Sequence, residues 1–298
     1  MTKSTPWLDP ALYPFTPRSF DTDDGALSYL DEGRGPPIVF VHGTPSWSFE
    51  WRAVITALSG SFRCIAVDHL GFGLSDKPPL APLAPADHAR RLRALVRHLG
   101  VRDATLVVHD FGGPIGLPLA LDADAAIGRV LLLNTWMWPN EGDPRVARID
   151  RVVRSFVGRF LYRWLNFSPR VLLPAAMGPR KKLTRAEHRH YLGPFATRAD
   201  REGPYALACA LGGADDYYAS LWAKRERLAA LPVSIVWGMK DPAYDPAALA
   251  RFEGFLPHAR VTRLSDVGHF PAEEHPNAVV EAIRALRPRA VETTAEAR

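Results

Sequence analysis

The sequence predicts an α/β chain: a mostly parallel central sheet flanked by helices, with a helical cap inserted late in the strand series. Three observations predict it. Short unbroken apolar runs such as Ile38-Val39-Phe40-Val41 alternate with helix-like segments, and unbroken runs are what strands covered on both faces require. Several of these runs end in a polar or glycine-rich turn that leads into a helix, the pattern of parallel β-α-β units. Finally, the alternation lapses between 136 and 231, where helical patterns are broken by Pro169, Pro174, Pro179, Pro194 and Pro204. A structureless loop of that length is disfavoured in a compact domain, so the segment is read as a cap.

In order along the chain, the expected strands are 26–31, 38–42, 63–68, 104–109, 129–133, 233–237 and 260–264. The expected helices are 51–58, 86–99, 115–121, 245–255 and 277–286, with a cap helix over 148–165. Gly100 and Gly254 stand where helices should stop. The division that follows is a core domain of 1–135 and 232–298 and a cap of 136–231, with the tail after Arg287 frayed.

A chain of 298 residues with 47% hydrophobic and 23% charged residues is large enough to fold without staples. The two cysteines, Cys64 and Cys209, form no framework and no metal-type spacing, and Cys64 falls in an apolar run as a small core residue. No signal-type stretch and no run of membrane-spanning length is present, which leads to the expectation of a cytoplasmic protein with no membrane partner. The net charge of +5 is concentrated, with 14 Lys/Arg against 5 Asp/Glu between Glu141 and Arg201. No interleaved aromatic motif or basic stripe accompanies it. It is therefore read as solvated helix faces, and no nucleic acid partner is expected.

The chemistry concentrates at three strand ends. In Leu106-Val107-Val108-His109-Asp110-Phe111-Gly112-Gly113-Pro114 an apolar strand ends in a polar residue, passes two glycines and enters a helix. That is a nucleophile elbow, a turn so tight that its neighbours must be small. It projects Asp110 above the sheet and turns the next backbone N–H toward the reacting atom. By itself an aspartate there could equally cap the helix. Asp241, in Trp237-Gly238-Met239-Lys240-Asp241-Pro242, ends the next-to-last strand, and His269, in Asp266-Val267-Gly268-His269-Phe270, follows the last. Ligands of open parallel sheets bind outside the carboxyl ends of strands, and the chain order nucleophile, acid, histidine is the one this architecture requires. In Phe40-Val41-His42-Gly43-Thr44-Pro45 the glycine lets the backbone approach the site. The N–H groups of Thr44 and Phe111 then form the expected oxyanion hole. His42 is read as a brace for this loop.

These segments resemble the haloalkane dehalogenase and epoxide hydrolase branch of the α/β-hydrolase superfamily. The likeness lies in His42-Gly43-Thr44-Pro45-Ser46-Trp47-Ser48-Phe49-Glu50-Trp51-Arg52, in Asp68-His69-Leu70-Gly71-Phe72-Gly73-Leu74-Ser75-Asp76-Lys77-Pro78, in the elbow and in Asp266-Val267-Gly268-His269-Phe270. It covers nearly the whole core, and the wording of the first two segments is nearest the dehalogenases. The resemblance implies an α/β-hydrolase fold acting on a small apolar organic substrate and water, with no metal and no cofactor. Asp110 attacks an sp³ carbon to form an alkyl ester. His269, oriented by Asp241, then activates the water that hydrolyses it.

The sequence also departs from that pattern. Dehalogenases of this kind resemble one another in gripping halide with a tryptophan after the nucleophile and an asparagine in the His-Gly-X-Pro loop or a cap tryptophan. Here those positions are Phe111 and Thr44, neither of which has a side-chain N–H. An unreplaced donor would cost about 2–4 kcal/mol of transition-state stabilisation. Trp136 or Trp138, at the crossing into the cap, are the candidate replacements. The epoxide hydrolase alternative calls for a cap tyrosine as acid, for which Tyr162, Tyr191, Tyr205, Tyr217 and Tyr218 are candidates. Fluoroacetate-type dehalogenases place arginines close behind the nucleophile, where this chain has Phe111 and Pro114. A third alternative, a non-catalytic receptor on the same scaffold, fits poorly with the presence of Asp110, Asp241 and His269 together.

Overall fold

The computed structural model describes residues 5–122 and 126–286. The expected frayed tail after Arg287 lies outside the described residues. Among the described residues eight strands form one sheet in the order β1-β2-β4-β3-β5-β6-β7-β8. They are β1 (Arg18–Thr22), β2 (Gly25–Glu32), β3 (Pro37–Val41), β4 (Arg63–Val67), β5 (Ala104–Asp110), β6 (Ile127–Thr135), β7 (Val233–Gly238) and β8 (Arg260–Leu264). β1 and β2 pair antiparallel and β2 runs antiparallel to β4, while β4-β3-β5-β6-β7-β8 are parallel. All seven expected strands form. The edge strand β1 was not foreseen, because Arg-Ser-Phe-Asp-Thr is polar and mostly exposed and carries no buried face to signal it.

The unbroken apolar runs arise because each strand serves two cores. Val39 and Val41 of β3 point into one cluster with Leu106, Val108, Val130 and Leu132. Ile38 and Phe40 point into the other with Val107, Leu131 and Leu133. Alternate side chains face opposite sides of a sheet, so a strand covered twice must be apolar throughout. Each fully buried Leu or Val contributes about 1.5–3 kcal/mol relative to exposure.

The helices are α1 (Arg52–Leu58), α2 (Pro85–His98), α3 (Gly112–Gly116), α4 (Pro118–Leu121), α5 (Pro144–Arg154), α6 (Phe156–Leu165), α7 (Leu173–Ala176), α8 (Arg185–Leu192), α9 (Glu202–Ala210), α10 (Asp215–Trp222), α11 (Arg225–Ala229), α12 (Pro246–Phe255), α13 (Pro271–Glu274) and α14 (Pro276–Ala285). From α5 to α11 they occupy the stretch between β6 and β7. The expected single helix over 148–165 is two, α5 and α6. Ser155 takes extended ψ, and its hydroxyl accepts the Gly158 N–H at 3.1 Å, capping a new helix start. Among the described residues no helix is long and apolar enough to cross a membrane.

Polar contacts tie these helices to the rim of the sheet. The Tyr191 hydroxyl of α8 donates to Glu273 at 2.8 Å, and Arg52 of α1 donates to both Glu187 of α8 and Glu273. The Trp47 indole donates to the His190 carbonyl at 2.9 Å. At the end of α7, the Ala176 carbonyl accepts the backbone N–H of His269 at 2.9 Å. The helical stretch thereby fixes part of the backbone that carries the candidate base.

The turn from β5 into α3 is as tight as the sequence requires. A Cβ on Gly112 would lie 2.0 Å from the Val41 carbonyl oxygen, and one on Gly113 would lie 1.9 Å from the Thr135 hydroxyl. Gly112→Ala is expected to destabilise the fold by about 3 kcal/mol, since the obstructing atom is backbone inside a packed sheet. Urea denaturation monitored by circular dichroism checks this; a midpoint equal to that of the unaltered protein would mean the turn has slack.

Candidate active site

The structure brings together the three strand-end residues that the sequence singled out. Asp110 ends β5 with φ 52°, in the left-handed region that a non-glycine residue occupies only when its surroundings hold it there. One such hold is the Thr135 hydroxyl, which donates to the Asp110 carbonyl at 2.6 Å. This turn aims the carboxylate across the strand ends. Asp110 Oδ1 accepts the Thr44 backbone N–H at 2.8 Å, and the Phe111 N–H also reaches the carboxyl group. Asp110 Oδ2 faces His269 Nε2 at 3.5 Å. The two carboxyl oxygens thus have different surroundings, Oδ1 on the Thr44 N–H and Oδ2 toward the histidine.

His269 Nδ1 donates to Asp241 Oδ2 at 2.8 Å. Asp241 is itself braced, accepting the Ala243 N–H at 2.7 Å and the Asn134 amide at 2.8 Å. Burial works against each charge, but mutual pairing wins. The Asp110 and Asp241 carboxyls are both held below the ordinary carboxylate range, chiefly by His269. Burial lowers the His269 pKa, yet Asp241 and Asp110 together raise it from 6.5 to about 10. At neutral pH the resting site is a carboxylate–imidazolium–carboxylate array.

The loop carrying Thr44 is braced as expected. His42 Nε2 accepts the His69 backbone N–H at 3.0 Å, which puts the ring proton on Nδ1, where it donates to the Gly43 carbonyl at 2.7 Å. Burial depresses the His42 pKa, so the ring stays neutral. Gly43 is needed for close approach, since a Cβ there would lie 2.2 Å from Asp110 Oδ1.

The tryptophan candidates separate. Trp136 is buried, edge-on to Phe111 at 4.7 Å and stacked on Tyr244 at 5.5 Å, and its indole N–H has no partner among the described residues. Trp138 instead packs against Trp222 and Phe252 under the Arg251 guanidinium. Of the two, only Trp136 touches residues that touch Asp110. The Thr44 hydroxyl is likewise buried and unpartnered among the described residues. The hydroxyls of three cap tyrosine candidates are engaged elsewhere: Tyr191 with Glu273, Tyr217 with the Pro114 carbonyl and Tyr218 with the Ala210 carbonyl.

Sequence reasoning missed three residues. Tyr244 donates its hydroxyl to Asp110 Oδ2 at 3.1 Å and lies between His269 and Trp136, stacked on both. Its phenol is pushed well above its ordinary pKa by burial and by the Asp110 charge. Asn134 clamps Asp241 and also accepts the Gly238 N–H at 2.8 Å; an asparagine closing the apolar run Leu131-Leu132-Leu133 was an available signal. His109 bonds the His269 carbonyl at 2.6 Å through Nε2, while its Nδ1 lies 3.1 Å from Glu50 Oε1. A cleft of about 320 Å³ opens beside this group, lined by Trp136, Trp138 and Tyr244 and, from α5, by Val146 and Ile149. Among the described residues no cluster of three or more His, Cys, Asp and Glu is arranged to hold a metal ion.

Comparison with known proteins agrees with this architecture. The alpha/beta hydrolase fold family matches residues 36–276, and the chain belongs to that family. Within it the chain is a dehalogenase-like hydrolase. It is 36% identical over 279 residues to haloalkane dehalogenase 2 of Mycobacterium tuberculosis, covering 92% of this chain and 96% of that one. It is also 34% identical over 295 residues to a cis-3-alkyl-4-alkyloxetan-2-one decarboxylase of Xanthomonas campestris, covering 93% and 97%. A solved haloalkane dehalogenase from Bradyrhizobium elkani superposes with a TM-score of 0.81 at 26% identity, covering 92% of this chain and 100% of that one.

Proposed function

We propose that this chain cleaves carbon–halogen bonds of small apolar haloalkanes through an ester on Asp110, hydrolysed by water that His269 activates. The observation that carries the reading is the split environment of the Asp110 carboxylate. Oδ1 is anchored on the Thr44 N–H, and Oδ2 is presented toward His269. A carboxylate is ionised without help and can attack an sp³ carbon directly, leaving an ester that water can still open. A serine making the same attack would end as an inert ether. Esterification removes one of the two charges that raise the His269 pKa, so the ring gives up its proton more readily when a base is needed. Charge on Oδ1 during hydrolysis falls on the Thr44 and Phe111 N–H groups. The residues assigned to the reaction itself are all side chains or backbone groups of the chain, and the partners are the substrate and water.

Two buried donors without a partner among the described residues, the Trp136 indole N–H and the Thr44 hydroxyl, stand in for the side-chain N–H groups absent at positions 111 and 44. The helical stretch 136–231 acts as the cap that closes the substrate against the core. Trp136→Phe keeps an aromatic ring and removes the donor. It is expected to lower kcat/KM for bromide release from short 1-bromoalkanes by about 30- to 1000-fold, the loss that follows from removing one donor to a developing anion. Steady-state bromide release measures this, and an unchanged value would remove Trp136 from the leaving-group site.

A second reading, ring opening at a carbon–oxygen bond, is favoured by the Tyr244 hydroxyl on Asp110 Oδ2 and by the oxetanone named for the Xanthomonas relative. Turnover of 1,2-epoxybutane with no halide released from any bromoalkane would replace the first reading by this one.

A further inference from the structure

We infer that Tyr244 is a catalytic residue of the second half-reaction, donating its hydroxyl to the oxygen that leaves Asp110 as the product alcohol. The inference rests on the Asp110 ester proposed above. Which oxygen leaves follows from the geometry. Oδ1 rests on the Thr44 N–H at 2.8 Å, the place of the oxyanion in the hydrolysis proposed above, which leaves Oδ2, on the side of Tyr244 and His269, as the oxygen that bonds to the substrate carbon. When water attacks Cγ, the bond that breaks to release the alcohol is Cγ–Oδ2, and the alcohol carries Oδ2 away. The Tyr244 hydroxyl donates to that atom at 3.1 Å.

The step balances without any further reactant. Neutral His269 takes one proton from water while the hydroxide adds to Cγ, placing negative charge on Oδ1. Collapse reforms the carbonyl at Oδ1 and breaks Cγ–Oδ2, and the departing alkoxide receives the proton from His269 Nε2, which lies 3.5 Å from Oδ2 in the resting site. The new carboxyl proton on Asp110 passes back to His269, restoring the resting ion pair. Tyr244 keeps its own proton throughout and stabilises charge as it grows on Oδ2. An alkoxide is far more basic than a carboxylate oxygen, so this hydrogen bond strengthens as the bond breaks. In the first half-reaction the same bond works in the opposite sense, because it stabilises the carboxylate that must attack.

The position suits the task. The ring is held between His269 and Trp136, with centroids 5.6 and 5.5 Å away, so the hydroxyl has little freedom to turn aside. Its phenol is kept protonated by burial and by the neighbouring Asp110 charge. Tyr244 comes from the loop that follows Asp241 at the end of β7, not from the helical stretch between β6 and β7.

The test is a rapid-quench comparison of the full-length protein, Tyr244→Phe and His269→Gln, each with 1-bromobutane and with 1,2-epoxybutane. Intact mass records the ester, and bromide or diol records the two half-reactions. Tyr244→Phe is expected to form the ester at the unaltered rate or faster and to hydrolyse it about 10- to 100-fold more slowly, the scale of one lost hydrogen bond to a charged oxygen. The ester then accumulates, and hydrolysis becomes more sensitive to the acidity of the alcohol released. A purely structural tyrosine would instead slow both half-reactions together, through a misplaced Asp110. An ester on His269→Gln with unaltered hydrolysis in Tyr244→Phe overturns the inference alone; no ester on His269→Gln with either probe overturns the Asp110 reading beneath it.

Discussion

Asp110→Asn is expected to lower turnover by roughly 10⁴- to 10⁶-fold, the scale seen when a covalent nucleophile is removed. The substitution is nearly isosteric, and its amide oxygen still accepts the Thr44 N–H that now holds Oδ1 at 2.8 Å. The close approach of Gly112 to the Val41 carbonyl and the Thr135 hydroxyl bond to the Asp110 carbonyl do not involve the Asp110 side chain and remain. What is lost is the charge and the nucleophilic lone pair on the outer oxygen. A second consequence appears at His269. Its pKa is raised to about 10 by Asp241 and Asp110 together, so removing one carboxylate lowers it while the 2.8 Å bond to Asp241 persists. Ring-nitrogen NMR across a pH titration reads this shift, and turnover assays read the loss. Full activity in freshly purified Asp110→Asn, with no slow return of aspartate at the position, would contradict the assignment.

His269→Gln is expected to show the second-largest effect, and of a different kind. Multiple turnover falls by roughly 10³-fold or more, because the base assigned to the water is gone, yet the first half-reaction persists. The variant therefore releases about one leaving group per active site and then stalls with substrate carbon on Asp110, visible as an intact-mass increment. A variant that releases no leaving group at all would show that His269 is required before the ester and that the order of steps is wrong. The same variant isolates a pH effect on stability. In the unaltered protein the folded pKa of His269 is raised from 6.5 to about 10. Its contribution is fully present below the unfolded value and is lost as pH rises through the folded one. The thermal midpoint of the unaltered protein should fall between those pH values more steeply than that of His269→Gln.

The reach of the sequence follows from how each feature is encoded. Strands with two buried faces announce themselves as unbroken Val, Ile and Leu runs, which is why β3, β5 and β7 are legible. β1 is paired on one side only and exposed along much of its length, so its residues need no apolar pattern. The break between α5 and α6 turns on one hydroxyl, that of Ser155, and the apolar periodicity passes through it undisturbed. Asp110, Asp241 and His269 are legible because strand-end placement and chain order constrain them. Tyr244 was not, since nothing local marks a loop tyrosine whose partner lies 134 residues away. Trp136 and Trp138 could not be told apart from sequence, because two positions along the chain send their rings to opposite neighbours: Trp136 to Phe111 and Tyr244, Trp138 to Trp222 and Phe252.

Oxygen isotope transfer decides whether the substrate carbon becomes an ester on Asp110. Enzyme in molar excess over 1-bromobutane is allowed a single turnover in H₂¹⁸O, and both the alcohol and the Asp110 peptide are analysed by mass spectrometry. The ester account predicts that the butanol carries ordinary oxygen taken from Asp110, and that one ¹⁸O is retained in the Asp110 carboxyl. Butanol labelled with ¹⁸O in that first turnover, with Asp110 unlabelled, would mean that water attacks the substrate carbon directly and that the aspartate is a base, not a nucleophile.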